Sequence, residues 1–166
     1  MNKDQLRIYH TIINAINLKE SGEQVNHVFI DAPGGTGKTF LLNAIIRKLQ
    51  IDNIQYSASA HSGIAATLLT GGKTVHNTFK FPLDLQSDFK TGLTAANKYG
   101  RFIKACKVLI IDEASMLHRY QLEHIHIATN TLEDHHPTEQ NLPAFANKFV
   151  VLAGDFPNPN HSYIET

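Results

Sequence analysis

Two short runs in this chain carry residue types that together could do chemistry on a polyphosphate. The first is Ala32-Pro33-Gly34-Gly35-Thr36-Gly37-Lys38-Thr39. Glycines let backbone N–H groups turn inward and approach phosphate oxygens closely. A helix starting at Lys38 would add its unpaired amides and the positive end of its dipole. Lys38 would set a point charge against the β- and γ-phosphates, and Thr39 a hydroxyl against magnesium. Loops of this pattern ordinarily begin with glycine; here that place is Ala32. The second run is Asp112-Glu113, which closes the apolar stretch Val108-Leu109-Ile110-Ile111. Carboxylates at the carboxyl end of a parallel strand point into the crevice where ligands bind. Asp112 would hold Mg²⁺ through water, and Glu113 would orient and deprotonate the water that attacks the γ-phosphate. Alone, each run has a plain alternative: a glycine-rich turn, or two acids favoured by the dipole of a helix beginning near Ser115. Together they point to Mg-ATP hydrolysis, which needs both metal and base.

The elements that must position these runs follow from periodicity. Leu6, Tyr9, Ile12, Ile13 and Ile16 recur at three- and four-residue steps, predicting an amphipathic helix that Ser21-Gly22 ends. Val25 to Asp31 reads as a strand leading into the glycine loop. The helix from Lys38 has Phe40, Leu41, Leu42, Ile45, Ile46 and Leu49 as its apolar side. Ile54 to Ala58 reads as a strand and Ser62 to Leu69 as a helix, with Ile64, Leu68 and Leu69 assigned to the core. Thr70 to Leu85 is expected to be irregular, broken by Gly71-Gly72 and Pro82. A helix is expected over Ala95 to Ala105, with Lys98, Arg101 and Lys104 near one face. Lys107 to Asp112 is an apolar run without alternation, a buried strand. A helix over Ser115 to Leu132, a polar loop over His135 to Asn147 and a strand over Phe149 to Ala153 complete the pattern. Strands alternating with helices imply an α/β fold: one domain with a parallel sheet covered on both faces.

Composition narrows the class. The chain has 166 residues, 42% apolar and 18% charged, enough for one domain with a real core. No apolar run approaches the ~20 residues needed to cross a bilayer, and no secretory signal opens the chain. A single cysteine, Cys106, fits a reducing intracellular setting. Zero formal charge argues against a basic tail but leaves room for a local basic groove. The pairs His124/His126 and His135/His136 lack the spacing and companions of a zinc site and read as solvated or loop histidines.

The two motifs and the text between them resemble the Pif-type (petite integration frequency) DNA helicases of superfamily 1B, including Helitron-type helicases. Asn2-x-x-Gln5 followed by Tyr9 resembles that family's adenine-recognising motif, which makes Gln5 the adenine partner. Ala58 to Leu69 and Gly71 to Phe79 resemble its motif Ia and the segment after it, which line the single-stranded DNA path. By that resemblance Ser59, Ser62 and Gly63 would meet the backbone, and His76 and Phe79 would offer flat surfaces to bases. Asp112-Glu113-Ala114-Ser115-Met116-Leu117 closely matches the family's magnesium-binding segment. The family's motif III resembles Gly-Asp-Phe-Arg-Gln, whereas here Gly154-Asp155-Phe156 runs into Pro157-Asn158.

The resemblance implies a RecA-like P-loop NTPase domain over residues 1–166, with ATP and Mg²⁺ bound by Gly34, Gly35, Thr36, Gly37, Lys38 and Thr39. It implies ATP-driven 5′-to-3′ DNA unwinding of the repair, recombination and telomere-maintenance class, single-stranded and duplex DNA as partners, and no membrane. It sets no oligomeric state. The nucleus is the expected compartment, with the mitochondrion as alternative. The second RecA-like domain, with its arginine finger and half of the DNA groove, is expected to be absent. The rival readings are an impaired ATP-binding module acting by interaction, and a small-molecule kinase. The latter wants an arginine-rich lid, and Arg7, Arg47, Arg101 and Arg119 do not form one.

Overall fold

The computed structural model describes residues 1–81, 92–136, 141–155 and 164–165. The chain begins with helix α1 (Lys3–Glu20), strand β1 (Val28–Asp31), helix α2 (Lys38–Ile51), strand β2 (Tyr56–Ala60) and helix α3 (Gly63–Leu68). Then come β3 (Lys73–Thr74), α4 (Val75–Phe79), α5 (Lys98–Ala105) and β4 (Val108–Asp112). A 3₁₀ turn (Ala114–Met116), helix α6 (Arg119–Leu132), a second 3₁₀ turn (Ala144–Asn147), β5 (Phe149–Gly154) and β6 (Ile164–Glu165) complete it. The strand order is β3-β2-β4-β5-β1-β6. All neighbours run parallel except β6, which lies antiparallel against β1.

Alternation along the central strands divides the interior in two. Val108 and Ile110 of β4, with Phe149, Val151 and Ala153 of β5, face a core shared with α1, α2 and α3. Leu109, Ile111 and Val150 face the opposite core, built with α4, α5 and α6. Helix α2 buries Leu41, Leu42, Ile45, Ile46 and Leu49, and each such side chain contributes roughly 1.5–3 kcal/mol. The glycine loop is therefore mounted on a rigid base.

The structure corrects several sequence readings. Phe40 is 57% exposed, off the face of α2 that Leu41, Leu42, Ile45, Ile46 and Leu49 bury; Ile64 and Leu68 are 80% and 60% exposed, and only Leu69 of that trio is buried. The stretch after Gly72 is ordered as β3 and α4, with Thr74 capping the helix through its hydroxyl. The helix expected from Ser115 begins at Arg119, because Glu113 takes a left-handed conformation (φ 54°) and a 3₁₀ turn follows. His124 is buried beside Phe81, and His126 Nδ1 accepts the Phe145 N–H at 3.1 Å, so neither is a solvated histidine. Pro82 and part of the polar loop lie outside the described residues. Among the described residues no helix is long and apolar enough to cross a membrane.

Candidate nucleotide and metal site

Where β1 ends, Ala32 continues the sheet with a hydrogen bond to the Gly154 carbonyl at 3.1 Å, and the chain then turns through the glycine loop. Gly35 and Gly37 have φ of 78° and 85°, the left-handed region that a Cβ penalises. Gly37 is the N-cap of α2 and offers no side-chain cap, so the first amides of that helix are left open to a ligand. Thr36 Oγ1 donates to the Pro33 carbonyl at 2.8 Å and stiffens the loop. Lys38 Nζ donates to the carbonyl of Pro33 at 2.9 Å and to that of Ala32, which parks its charge within the loop.

Asp112 reaches the same place from β4. It is 3% exposed at the end of an apolar strand, where a lone carboxylate is costly. Its Oδ2 accepts from Thr39 Oγ1 at 3.2 Å, and its Oδ1 from the Glu113 N–H at 2.9 Å. No cation pairs with it among the described residues. A hydroxyl beside a buried, unpaired carboxylate is a donor set of the hard, oxygen-only kind that suits magnesium. Glu113 is tied elsewhere: its Oε2 accepts the Ser62 N–H at 2.9 Å, at the start of α3. Gly34, Gly35, Gly37, Lys38, Thr39, Asp112 and Glu113 all line one cleft of about 580 Å³.

Gln5 borders a neighbouring cleft of about 430 Å³, together with Arg7, Ile8 and Pro33. Its Nε2 donates to the Thr36 carbonyl at 2.9 Å, and its Oε1 accepts the Asn2 N–H at 3.0 Å. Asn2 reciprocates by accepting the Gln5 N–H at 2.8 Å, a capping box that opens α1. Each atom of the Gln5 amide still has one unused hydrogen-bonding direction.

Two residues of this region were absent from the sequence-based site. Asp155, just past β5, accepts the Gly34 N–H at 2.9 Å through Oδ2, and its own N–H donates to Ser115 Oγ at 3.3 Å. The available signal was the likeness of Gly154-Asp155-Phe156 to motif III, together with its position at the end of a strand that lies between β4 and β1. Phe156, Pro157 and Asn158 lie outside the described residues.

The expected DNA path needs correction. Ser59 and Phe79 are each 1% exposed. Ser59 Oγ donates to the Ile110 carbonyl at 3.4 Å, and the Phe79 ring stacks on Phe81 at 6.0 Å, so both serve the core and present nothing to a strand. Gly63 is exposed, Ser62 half-buried as the cap of α3, and His76 half-buried with its ring edge against Phe81. Lys104 is engaged by Glu133 and Asp134 at 3.9 and 3.5 Å.

Comparison with known proteins places this geometry in context. The model of the PIF1-like helicase family matches residues 1–158. The chain is similar to ATP-dependent DNA helicase PIF4 of Trypanosoma brucei brucei, with 32% identity over 139 residues, covering 81% of this chain and 16% of that protein. It is similar to ATP-dependent DNA helicase Pif1 of a Psychrobacter species, with 32% identity over 144 residues, covering 86% of this chain and 20% of that protein. Among solved structures, Bacteroides sp Pif1 in complex with ADP-AlF4 superposes with a TM-score of 0.67 at 27% identity, over 89% of this chain and 31% of that one. The chain thus spans a fifth or less of these two relatives.

Proposed function

This chain belongs to the PIF1-like helicase family, and from that premise we propose that residues 1–166 are the first, nucleotide-binding motor domain of an ATP-dependent 5′-to-3′ DNA helicase working inside the cell. The observation that carries the reading is convergence: Lys38 and Thr39 at the start of α2, and Asp112 and Glu113 at the end of β4, come from two segments far apart in sequence and line one cleft. In this reading the amides of Gly34 to Lys38 cradle the phosphates, and Lys38 leaves its loop carbonyls to meet the terminal ones. Thr39 and Asp112 would hold magnesium, which when bound neutralises charge on the β- and γ-oxygens. Glu113, on exchanging its Ser62 amide for a water, would take that water's proton. Gln5 would read adenine from the adjoining cleft.

A motor of this type closes one such domain on another, and an arginine from across the cleft can be worth ~10³-fold or more in rate. Residues 1–166 alone should therefore bind Mg-ATP and turn it over slowly. Two substitutions separate the roles, read with a fluorescent ATP analogue. Lys38→Ala should sharply weaken binding, whereas Glu113→Gln should leave binding largely intact and remove hydrolysis. Equal loss of binding in both would count against the assignment. A chain that binds Mg-ATP but whose turnover ignores single-stranded DNA would favour the interaction-module reading instead.

A further inference from the structure

At the opposite edge of the sheet from the glycine loop, β2, β3, α4 and α5 surround a cavity of about 240 Å³. That is below the ~300–1,000 Å³ of sites for drug-sized ligands, and it suits one planar ring rather than a whole nucleotide. Tyr99 and Phe102 line it from α5 while standing 36% and 44% exposed, an unusual position for two rings on adjoining turns of one helix. Lysines gather on them. Lys80 and Lys98 place Nζ 3.7 and 5.0 Å from the centre of the Tyr99 ring, and Lys73 Nζ lies 6.0 Å from that of Phe102. None of these lysines, nor the neighbouring Arg101, pairs with a carboxylate among the described residues. The chain as a whole is formally neutral, and four of its cations, Lys73, Lys80, Lys98 and Arg101, belong to this edge. Thr78 also contributes to the wall; it is 6% exposed, and its Oγ1 finds no hydrogen-bond partner among the described residues.

Exposed rings interleaved with cations that no described carboxylate pairs match a ligand that alternates flat bases with phosphates. We propose that this edge is a contact surface for single-stranded DNA. One base enters the cavity against Tyr99 and Phe102, and Lys73, Lys80 and Lys98 hold the flanking phosphates. The surface is continuous with the exposed side of α4, which carries His76 and Asn77. The proposal rests on the DNA-motor reading, and it supplies that reading with rings that the buried Phe79 cannot. Stacking tolerates every base, so the contact should show little sequence preference.

The test is fluorescence anisotropy of a labelled oligo-dT with the 166-residue chain, without nucleotide, across a salt series. Tyr99→Ala/Phe102→Ala should weaken binding about tenfold or more, and Tyr99→Phe should hold it within about twofold. Lys73→Gln/Lys98→Gln, both at exposed positions, should reduce the slope of log K against log salt by about 1.4. Fluorescent ATP binding, measured on the same samples, should be unchanged in all variants. Unaltered dT affinity in the ring variant, an unaltered salt slope in the lysine variant, or a wild-type chain that binds no dT would each overturn the proposal. Because ATP binding is read separately, such a result leaves the nucleotide-site assignment standing. Tighter binding of duplex than of dT would also overturn it.

Discussion

Replacing Gly37 with alanine probes how tightly the phosphate loop is built against α1. The added Cβ carries two separable penalties. At φ 85° an L-residue is strained by roughly 1–2 kcal/mol. The Cβ would also stand 2.6 Å from Gln5 Nε2, closer than any real contact. Since that nitrogen ends a flexible side chain, the clash is relieved by swinging Gln5 away. Its cost is then capped by the bonds to the Thr36 carbonyl and the Asn2 amide, which are exposed and worth about 1 kcal/mol together, at the low end for such bonds. The total is about 2–3 kcal/mol. Gly35→Ala is the internal control: φ is 78°, but nothing lies within 4 Å of its Cβ, so strain alone should appear, about 1–2 kcal/mol. Urea denaturation of the two variants, and of each combined with Gln5→Ala, forms a double-mutant cycle. Gln5→Ala should cost about 1 kcal/mol in the wild-type and Gly35→Ala backgrounds and almost nothing in the Gly37→Ala one, a coupling of about 1 kcal/mol at Gly37 alone. Strict additivity at Gly37, or equal coupling at both glycines, would refute the proposed contact between Gln5 and the loop.

Other consequences are as direct. Asp155→Asn removes a negative charge that occupies the Gly34 amide, so ADP measured without magnesium should bind about fivefold tighter, roughly 1 kcal/mol; weaker binding would contradict that picture. Burial pushes His27, His124 and His126 below the ordinary value of 6.5, with Lys19 adding to the effect at His27. The Nδ1 atoms of His27 and His126 accept backbone N–H groups and so need the neutral ring. Below pH 6.5 the unfolded chain takes up protons that the folded one refuses, so the urea midpoint should fall as pH drops from 6.5 toward the depressed values and be level just above it; a flat profile would remove these histidines from the account. Gly100→Ala would bring a Cβ within 2.9 Å of three backbone atoms of Thr94, and should lower stability by about 2–3 kcal/mol on denaturant melts.

Much of the fold could be read from the chain because its signals are local. The three- and four-residue steps of α1 and α2, and the unbroken apolar run of β4, each declare a face or a burial without reference to the rest. Lys38, Thr39 and Asp112 were legible for the same reason: each closes or opens an element whose end must point into the crevice. What periodicity cannot supply is the neighbour on the far side. Phe40, Ile64 and Leu68 fall on apolar positions, yet the described residues put nothing over them. Ser59 and Phe79 suit a nucleic-acid path by type, but β2 is buried on both faces from Ser57 to Ala60, and the packing of α4 turns Phe79 inward. The left-handed Glu113, which delays α6, has no marker in residue type at all. Asn2-x-x-Gln5 did carry a legible signal, the spacing of a capping box, which explains the structural half of that motif without any ligand.

In the role proposed for Glu113, its carboxylate would tie two distant tasks to one atom. While it holds the Ser62 amide it anchors the first turn of a six-residue helix, too short to keep its own alignment in isolation. Whenever that oxygen is drawn toward a water in the cleft, the helix loses its tether. The timing of bond cleavage and the posture of the segment bearing Gly63 would thereby be yoked, and a change at position 113 should be felt at both.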